Sequence, residues 1–387
     1  SRVAAASAEL LQSVRPAVPL ITSGSTSASL DGSPVVFRTC YSDSQAQPLL
    51  ASVLSLLASA KSSDAVPAAD ATAVGLIASE DDFGLAGLAV LNASLVSAGV
   101  KVVGTATFAS TTAAGVLVGD GCADAEGRVK PDNVRIVARA VDAVRRSGAN
   151  TVVISATGPS TQCVFAAATS LGLSQAEITW LATEKIVLPV GTPFGEEVAA
   201  TARNYLTFIG SPYARSAPLV AFQQSFDERH GHLPSTWAAY SFDAVGLLWA
   251  ANVSGANGSL TQALRSVQYF GVSGMLSYPE NLSYPKESRI AIETLTEALD
   301  FQEVGIADTE EDNRHLHLYL EPFLPRVCKN RSLSQDNLLQ NYDHVVIPVS
   351  VGIGCFLMGL LLPLAVFGRR RRRMLSGDPH LIGTGKS

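Results

Sequence analysis

Charge is scarce in this sequence. Only 16% of its 387 residues are Asp, Glu, Lys or Arg, against 47% hydrophobic ones, a balance that calls for a membrane span. Basic residues are in deficit too: the formal charge is -6 and the densest basic run is one block of arginines, which argues against a nucleic-acid partner. Of the five cysteines none forms a C-x-x-C pair, so the spacing of a zinc or thioredoxin-like centre is missing. Neither H-E-x-x-H nor G-x-S-x-G occurs. The terminal GTGKS lacks the first glycine of a phosphate loop, which would fall at His380. His230 with His232, and His315 with His317, have H-x-H spacing but polar surroundings and no nearby cysteine, which makes them solvated histidines. These absences point away from an enzyme, a metal and a cofactor.

One long apolar run is present. Val345 to Phe367 reads VVIPVSVGIGCFLMGLLLPLAVF, free of charge and long enough to cross a hydrocarbon core of about 30 Å. Arg369 to Arg373 follow it, and arginines beside a span stay in the cytoplasm. The expected arrangement is a plasma-membrane protein with residues 1–344 outside, a transmembrane helix at 345–367 in the lipid bilayer, and a cytoplasmic tail at 368–387. Sequons at Asn92, Asn252, Asn257, Asn281 and Asn330 all precede the span, as a glycosylated exterior requires. Cys355 lies inside it, which leaves Cys40, Cys122, Cys163 and Cys328 in an oxidising compartment with three possible pairings. This topology calls for a signal peptide, and none is visible at Ser1.

Residues 1–310 alternate short apolar runs with amphipathic stretches, the pattern of an α/β fold with parallel sheets. Strands are expected at 19–23, 73–79, 100–108, 151–156, 178–183 and 204–210. Val134, Val137, Val141 and Val144 recur at helical spacing before Gly148, and a second such helix ends at Gly99. Residues 311–344 are acidic and polar and read as a membrane-proximal linker.

The segment PLITSGSTSASLDGSPVVFRTCYSD at 19–43 resembles one carried by type I periplasmic binding proteins and their receptor relatives, among them amino-acid-binding proteins, class C receptors and protist receptor-type adenylate cyclases. EDDFGLAGLAVLNASLVSAGVKVV, WAAYSFDAVGLLWAAN, FGVSGMLSYPENLSY and ALDFQEVGIAD resemble further family segments in the same order. The resemblance implies a two-lobed fold with three interlobe crossovers, expected at 105–112, 206–214 and 270–278. Lobe 1 would then be about 1–105 and 214–270, and lobe 2 about 112–206 and 278–310. SRVAAASAELLQSVRP resembles a helix that other elements precede in the family, so lobe 1 is expected to be incomplete, and an effector to follow the tail or to come from another chain.

The resemblance also implies a crevice between the lobes. On its own, SGSTSASL is the mark of a capped turn. Within the family pattern, Gly24, Ser25 and Thr26 end a strand and would meet a ligand carboxylate through backbone N–H groups and hydroxyls. Glu184 falls where relatives place an acid against the ligand's ammonium group, though a solvated Glu beside Lys185 is the plain alternative. Thr157 and Gly158 align with a ligand-facing loop, and Phe83 stands where relatives carry a stacking Tyr. Arg2 departs from a small hydroxyl residue of the family. The expected function is a receptor ectodomain that closes on a small, amino-acid-like ligand and signals as a homodimer. The alternatives are a membrane-tethered solute-capture protein and an adhesive surface glycoprotein without a ligand. In right-side-out vesicles, external protease should digest the segment before Val345 and spare the tail; the reverse pattern would refute the orientation.

Overall fold

The computed structural model describes residues 2–318 apart from 15–17, 63–72, 111–120, 125, 174–177, 190, 212–215, 255–258, 280–281, 287, 297, 299 and 309–314. The expected span and tail, most of the linker, Cys328 and the sequons at 257, 281 and 330 lie outside the described residues. Among the described residues no helix is long and apolar enough to cross a membrane. Asn92 and Asn252 are both exposed.

In chain order the elements are α1 (Arg2–Ser13), β1 (Leu20–Thr22), a 3₁₀ turn (Ala28–Leu30), β2 (Val36–Arg38), α2 (Asp43–Ser62), β3 (Val74–Ser79), α3 (Asp82–Ser97) and β4 (Val102–Phe108). Then come α4 (Pro131–Arg146), β5 (Thr151–Ser155), α5 (Gly158–Ser170), β6 (Thr179–Ala182), α6 (Pro193–Ala202) and β7 (Leu206–Gly210). The last are α7 (Ala217–His230), α8 (Thr236–Val253), α9 (Leu260–Ser266), β8 (Tyr269–Phe270), β9 (Met275–Leu276), β10 (Arg289–Leu295), β11 (Phe301–Asp308) and β12 (His315–Leu318). All six expected strands are present inside their expected spans. Gly99 and Gly148 adopt positive φ, 69° and 80°, the left-handed turn that glycine takes without strain after a helix.

Eight strands form one sheet in the order β12-β11-β10-β7-β6-β5-β3-β4. β3 to β7 pair in parallel, and β10 to β12 continue antiparallel. Side chains alternate across it. Val152, Ile154 and Trp180 pack with α4, α5 and α6. Val153, Leu181 and Phe208 pack on the other face with Leu50, Leu54, Leu91 and Leu95 of α2 and α3. Each such apolar side chain contributes about 1.5–3 kcal/mol when buried. A Cys122–Cys163 disulfide with Cα atoms 5.0 Å apart ties the loop before α4 to α5, and Cys40 is a free, buried thiol.

The second lobe is built differently. β1 and β2 form a two-stranded parallel sheet, and Phe37 packs with Leu247 of α8, Leu264 of α9 and Leu276 of β9. Sheet membership corrects the expected division at 105–112. β4 is paired along β3 as an edge strand of the large sheet, so 102–108 crosses nothing and residues 74–108 belong with 151–210. The chain leaves the small sheet much earlier, through Arg38–Asp43. It returns between Gly210 and α7; of the expected crossing at 206–214, residues 206–210 are β7 of the large sheet and 212–214 lie outside the described residues. It leaves for the last time after Ser283, whereas 270–278 holds the β8–β9 hairpin. A βαβ unit reads alike in either lobe, which is why spacing misplaced the first crossing. The linker boundary moves as well, because β12 at 315–318 pairs with β11 inside the expected linker.

Candidate functional site

The loop Ser23–Leu30 leaves the carboxyl end of β1 and folds over Arg38, whose side chain is fully buried. Arg38 Nη1 donates to the carbonyls of Ser25 at 3.4 Å, Thr26 at 3.2 Å and Ser27 at 2.9 Å. Its Nη2 donates to Ser283 Oγ at 2.9 Å and pairs with Asp31. The guanidinium also lies 5.2 Å from the centre of the Tyr284 ring. A buried charge needs this density of partners. In a trans peptide the C=O of one residue and the N–H of the next point opposite ways. Gathering the three carbonyls on Arg38 therefore turns the N–H groups of Thr26, Ser27 and Ala28 away from it.

Asp43 opens α2, where the helix dipole favours a carboxylate. Its N–H donates to Thr26 O at 2.9 Å, and the Thr26 hydroxyl binds its carboxyl group. The other oxygen, Oδ2, is buried without a partner. Burial raises the Asp43 pKa well above the carboxylate range, the Glu184 charge raises it further, and Arg38 and Thr26 oppose them. The Glu184 charge acts on Asp43, and both act on the Tyr41 phenol, so the two acids lie near one another.

Glu184 follows β6. Its side chain is partly open to solvent but crowded by protein, and this desolvation pushes its carboxyl up to about 7. Lys185 pairs with Glu293 and lies 4.8 Å from the centre of the Phe301 ring, so the neighbouring lysine does not neutralise Glu184. Among the described residues no cationic side chain pairs with it. The segment is held rigidly: Ile186 N donates to Tyr205 Oη at 2.6 Å and Gln162 Nε2 to Val187 O at 2.8 Å. Gly158 at the start of α5 packs so close that a Cβ there would strike the Lys185 carbonyl.

The expected residues gather at strand carboxyl ends, as ligand sites in open α/β sheets do. Ser25 and Thr26 are 8% and 2% exposed, so their hydroxyls face inward; Ser25 Oγ accepts from Thr22 Oγ1 at 3.2 Å. Phe83 is buried in the first turn of α3, the turn that Ser27 Oγ reaches at Asp82 O, 3.3 Å away. Thr157 caps α5 by position and donates to Ser160 Oγ at 3.3 Å. Gly24 stands apart, exposed toward the Trp237 ring of α8. The Arg2 side chain lies outside the described residues. His230 and His232 are exposed, with ring centres 6.2 Å apart. Sequence reasoning missed Arg38 and Asp43 as site residues, although both stand in the FRTCYSD segment; an arginine and an aspartate next to short β2 were the available signal.

The sequence model of the receptor family ligand binding region matches residues 63–288, more than half of the chain. The chain belongs to this family. A search of curated proteins returns no match. Solved structures share the fold: an ABC transporter substrate-binding protein from Desulfitobacterium hafniense is 18% identical, with a TM-score of 0.53 over 78% of this chain and 77% of that one. A solute-binding protein of an ABC transporter from R. palustris, in complex with 4-hydroxybenzoate, is 15% identical, with a TM-score of 0.55 over 78% and 75%. A third, from Rhodopseudomonas palustris BisB5 with 3,4-dihydroxybenzoic acid, is 15% identical, with a TM-score of 0.54 over 80% and 77%. The fold is thus the two-lobed type I periplasmic-binding architecture, and the family is a ligand-binding one.

The Glu184 carboxyl gives the fold a pH dependence of definite sign. Its pKa rises from 4.5 in the unfolded chain to about 7, so the folded form keeps a proton that the unfolded form has lost, and stability falls as pH rises through that window. Urea unfolding of the parent and of Glu184→Gln between those pH limits should show the parent losing stability relative to the variant. A constant difference would mean that Glu184 titrates normally.

Proposed function

We propose that the chain is the extracellular ligand-binding part of a cell-surface receptor at the plasma membrane. Its lobes close on a small amphoteric ligand, an amino acid in kind, and the closure is passed on through a dimer. The observation that carries this reading is the pair Asp43 and Glu184, two carboxylates with no cationic side chain bonded to either among the described residues, near a loop whose N–H groups are turned away from Arg38. Such a site offers acceptors to an ammonium group from one wall and donors to a carboxylate from the other. The complexes of the R. palustris proteins with benzoic acids support the carboxylate half by analogy of fold.

The membrane half of the proposal rests on residues 345–367 and the arginines after them, which anchor the chain in the lipid bilayer as a single-pass protein. Signalling by a homodimer follows from the receptor resemblance. A second reading has its own support, because the similar structures belong to transport systems: the chain would capture solute at the membrane and pass it to a transporter. The adhesive alternative fits less well with a crevice walled by Asp43, Gln47 and Thr183. Calorimetric titration of the full chain with an amino-acid panel is the test. Glu184→Ala should weaken the best ligand more than Glu184→Asp does, by roughly 2–5 kcal/mol if the ion pair is buried. Equal affinities of parent and Glu184→Ala would rule out the ammonium site.

A further inference from the structure

A narrow groove lies in the large lobe between α2 and the carboxyl ends of β6 and β7. Asp43, Ala46, Gln47 and Leu50 line it from α2 at positions i, i+3, i+4 and i+7, and Thr183 and Phe208 close the far side. Its empty space is about 190 Å³, including what opens to solvent, and it is too narrow to seat a water molecule. Gln47 is 1% exposed and Thr183 7%. Both ends of the Gln47 amide, the Thr183 hydroxyl and Asp43 Oδ2 have no hydrogen-bond partner. Four such atoms around one small space are unusual in a native interior, where each unmade bond costs about 1–3 kcal/mol.

The chemistry that would satisfy them is specific. Gln47 Oε1 only accepts, Gln47 Nε2 only donates, and the Thr183 hydroxyl and the Asp43 carboxyl, which burial holds protonated, do either. An ammonium group leaves Gln47 Nε2 unmet, a carboxylate leaves Gln47 Oε1 unmet, and a hydrocarbon leaves all four. A primary carboxamide meets them all: its NH2 reaches Asp43 and Gln47 Oε1, and its C=O accepts from Gln47 Nε2 and Thr183. Ala46, Leu50 and Phe208 offer apolar contact for the methylenes that lead to it. We propose that this groove is the side-chain subsite of the crevice and that it selects a carboxamide-ended ligand, glutamine or asparagine among the amino acids. This rests on the amino-acid reading above, since Asp43 lines the groove and feels the Glu184 charge, and Thr183 directly precedes Glu184. Entry of the amide has to widen the groove, so the subsite forms as the ligand binds.

The test is calorimetric titration of the full chain and of its Gln47→Met and Thr183→Val variants with L-glutamine and L-alanine, alongside thermal melting. The parent should prefer L-glutamine by at least about tenfold, the equivalent of one hydrogen bond of ordinary strength. That preference should fall in both variants, and Gln47→Met should melt no lower than the parent because it removes an unpaired amide. Equal affinity of the parent for the two ligands, or a preference that survives both substitutions, overturns the subsite and leaves the amino-acid reading standing. Binding of neither ligand overturns both.

Discussion

The buried guanidinium of Arg38 is the constraint on which the crevice depends. A charge with no solvent exposure persists only where its surroundings supply acceptors, and removing a partner from such an arrangement costs about 3–5 kcal/mol. Arg38 finds its acceptors in the carbonyls of the loop after β1, in Asp31 and in Ser283. Those groups come from the connection between the two strands of the small sheet and from the last passage between the lobes. Its own backbone joins in: Arg38 N donates to Ser283 O at 2.7 Å, and Tyr278 Oη donates to Arg38 O at 2.8 Å. One side chain thereby sets the shape of the loop and fixes two of the three segments that connect the lobes.

The electrostatics of the crevice follow from that arrangement. Once the loop carbonyls are committed to Arg38, the N–H groups of Thr26, Ser27 and Ala28 point away from it. Asp43 is anchored to the same loop through Thr26, and Glu184 is anchored through the Tyr205 and Gln162 contacts of the residues that follow it. Burial raises both carboxyls and the Glu184 charge raises Asp43 further, so each holds its proton above the ordinary carboxylate range. In the proposed site a ligand that brings an ammonium group would reverse this balance, because it favours the ionised acids. Binding and proton release would then be one event.

The parallel part of the large sheet was legible in the sequence because its strands are short apolar runs between glycine-terminated helices: five of the six expected strands are β3 to β7, and the sixth is β1 of the small sheet. Lobe membership was not, since the crossing at Arg38–Asp43 has no periodicity of its own and the βαβ unit after it fits either lobe. Ser25, Thr26, Phe83, Thr157, Gly158 and Glu184 fall at strand carboxyl ends through their place in the family pattern. Gly24 is exposed on the side of Trp237, which no local signal announces. Burial of Arg38 and the Cys122–Cys163 bridge depend on partners far along the chain, and spacing alone carries neither. The strand at 315–318 was hidden by the polar run that precedes it.

The most direct measurement of this account is proton exchange on ligand binding. The full chain would be titrated with L-glutamine at about pH 6 in buffers of different ionisation enthalpy, below the raised Glu184 pKa of about 7. An ammonium group placed between Asp43 and Glu184 must drive protons off, so the observed enthalpy should change with the buffer in the direction of proton release and the affinity should rise with pH toward 7. A buffer-independent enthalpy with saturable binding would contradict the paired-carboxylate site.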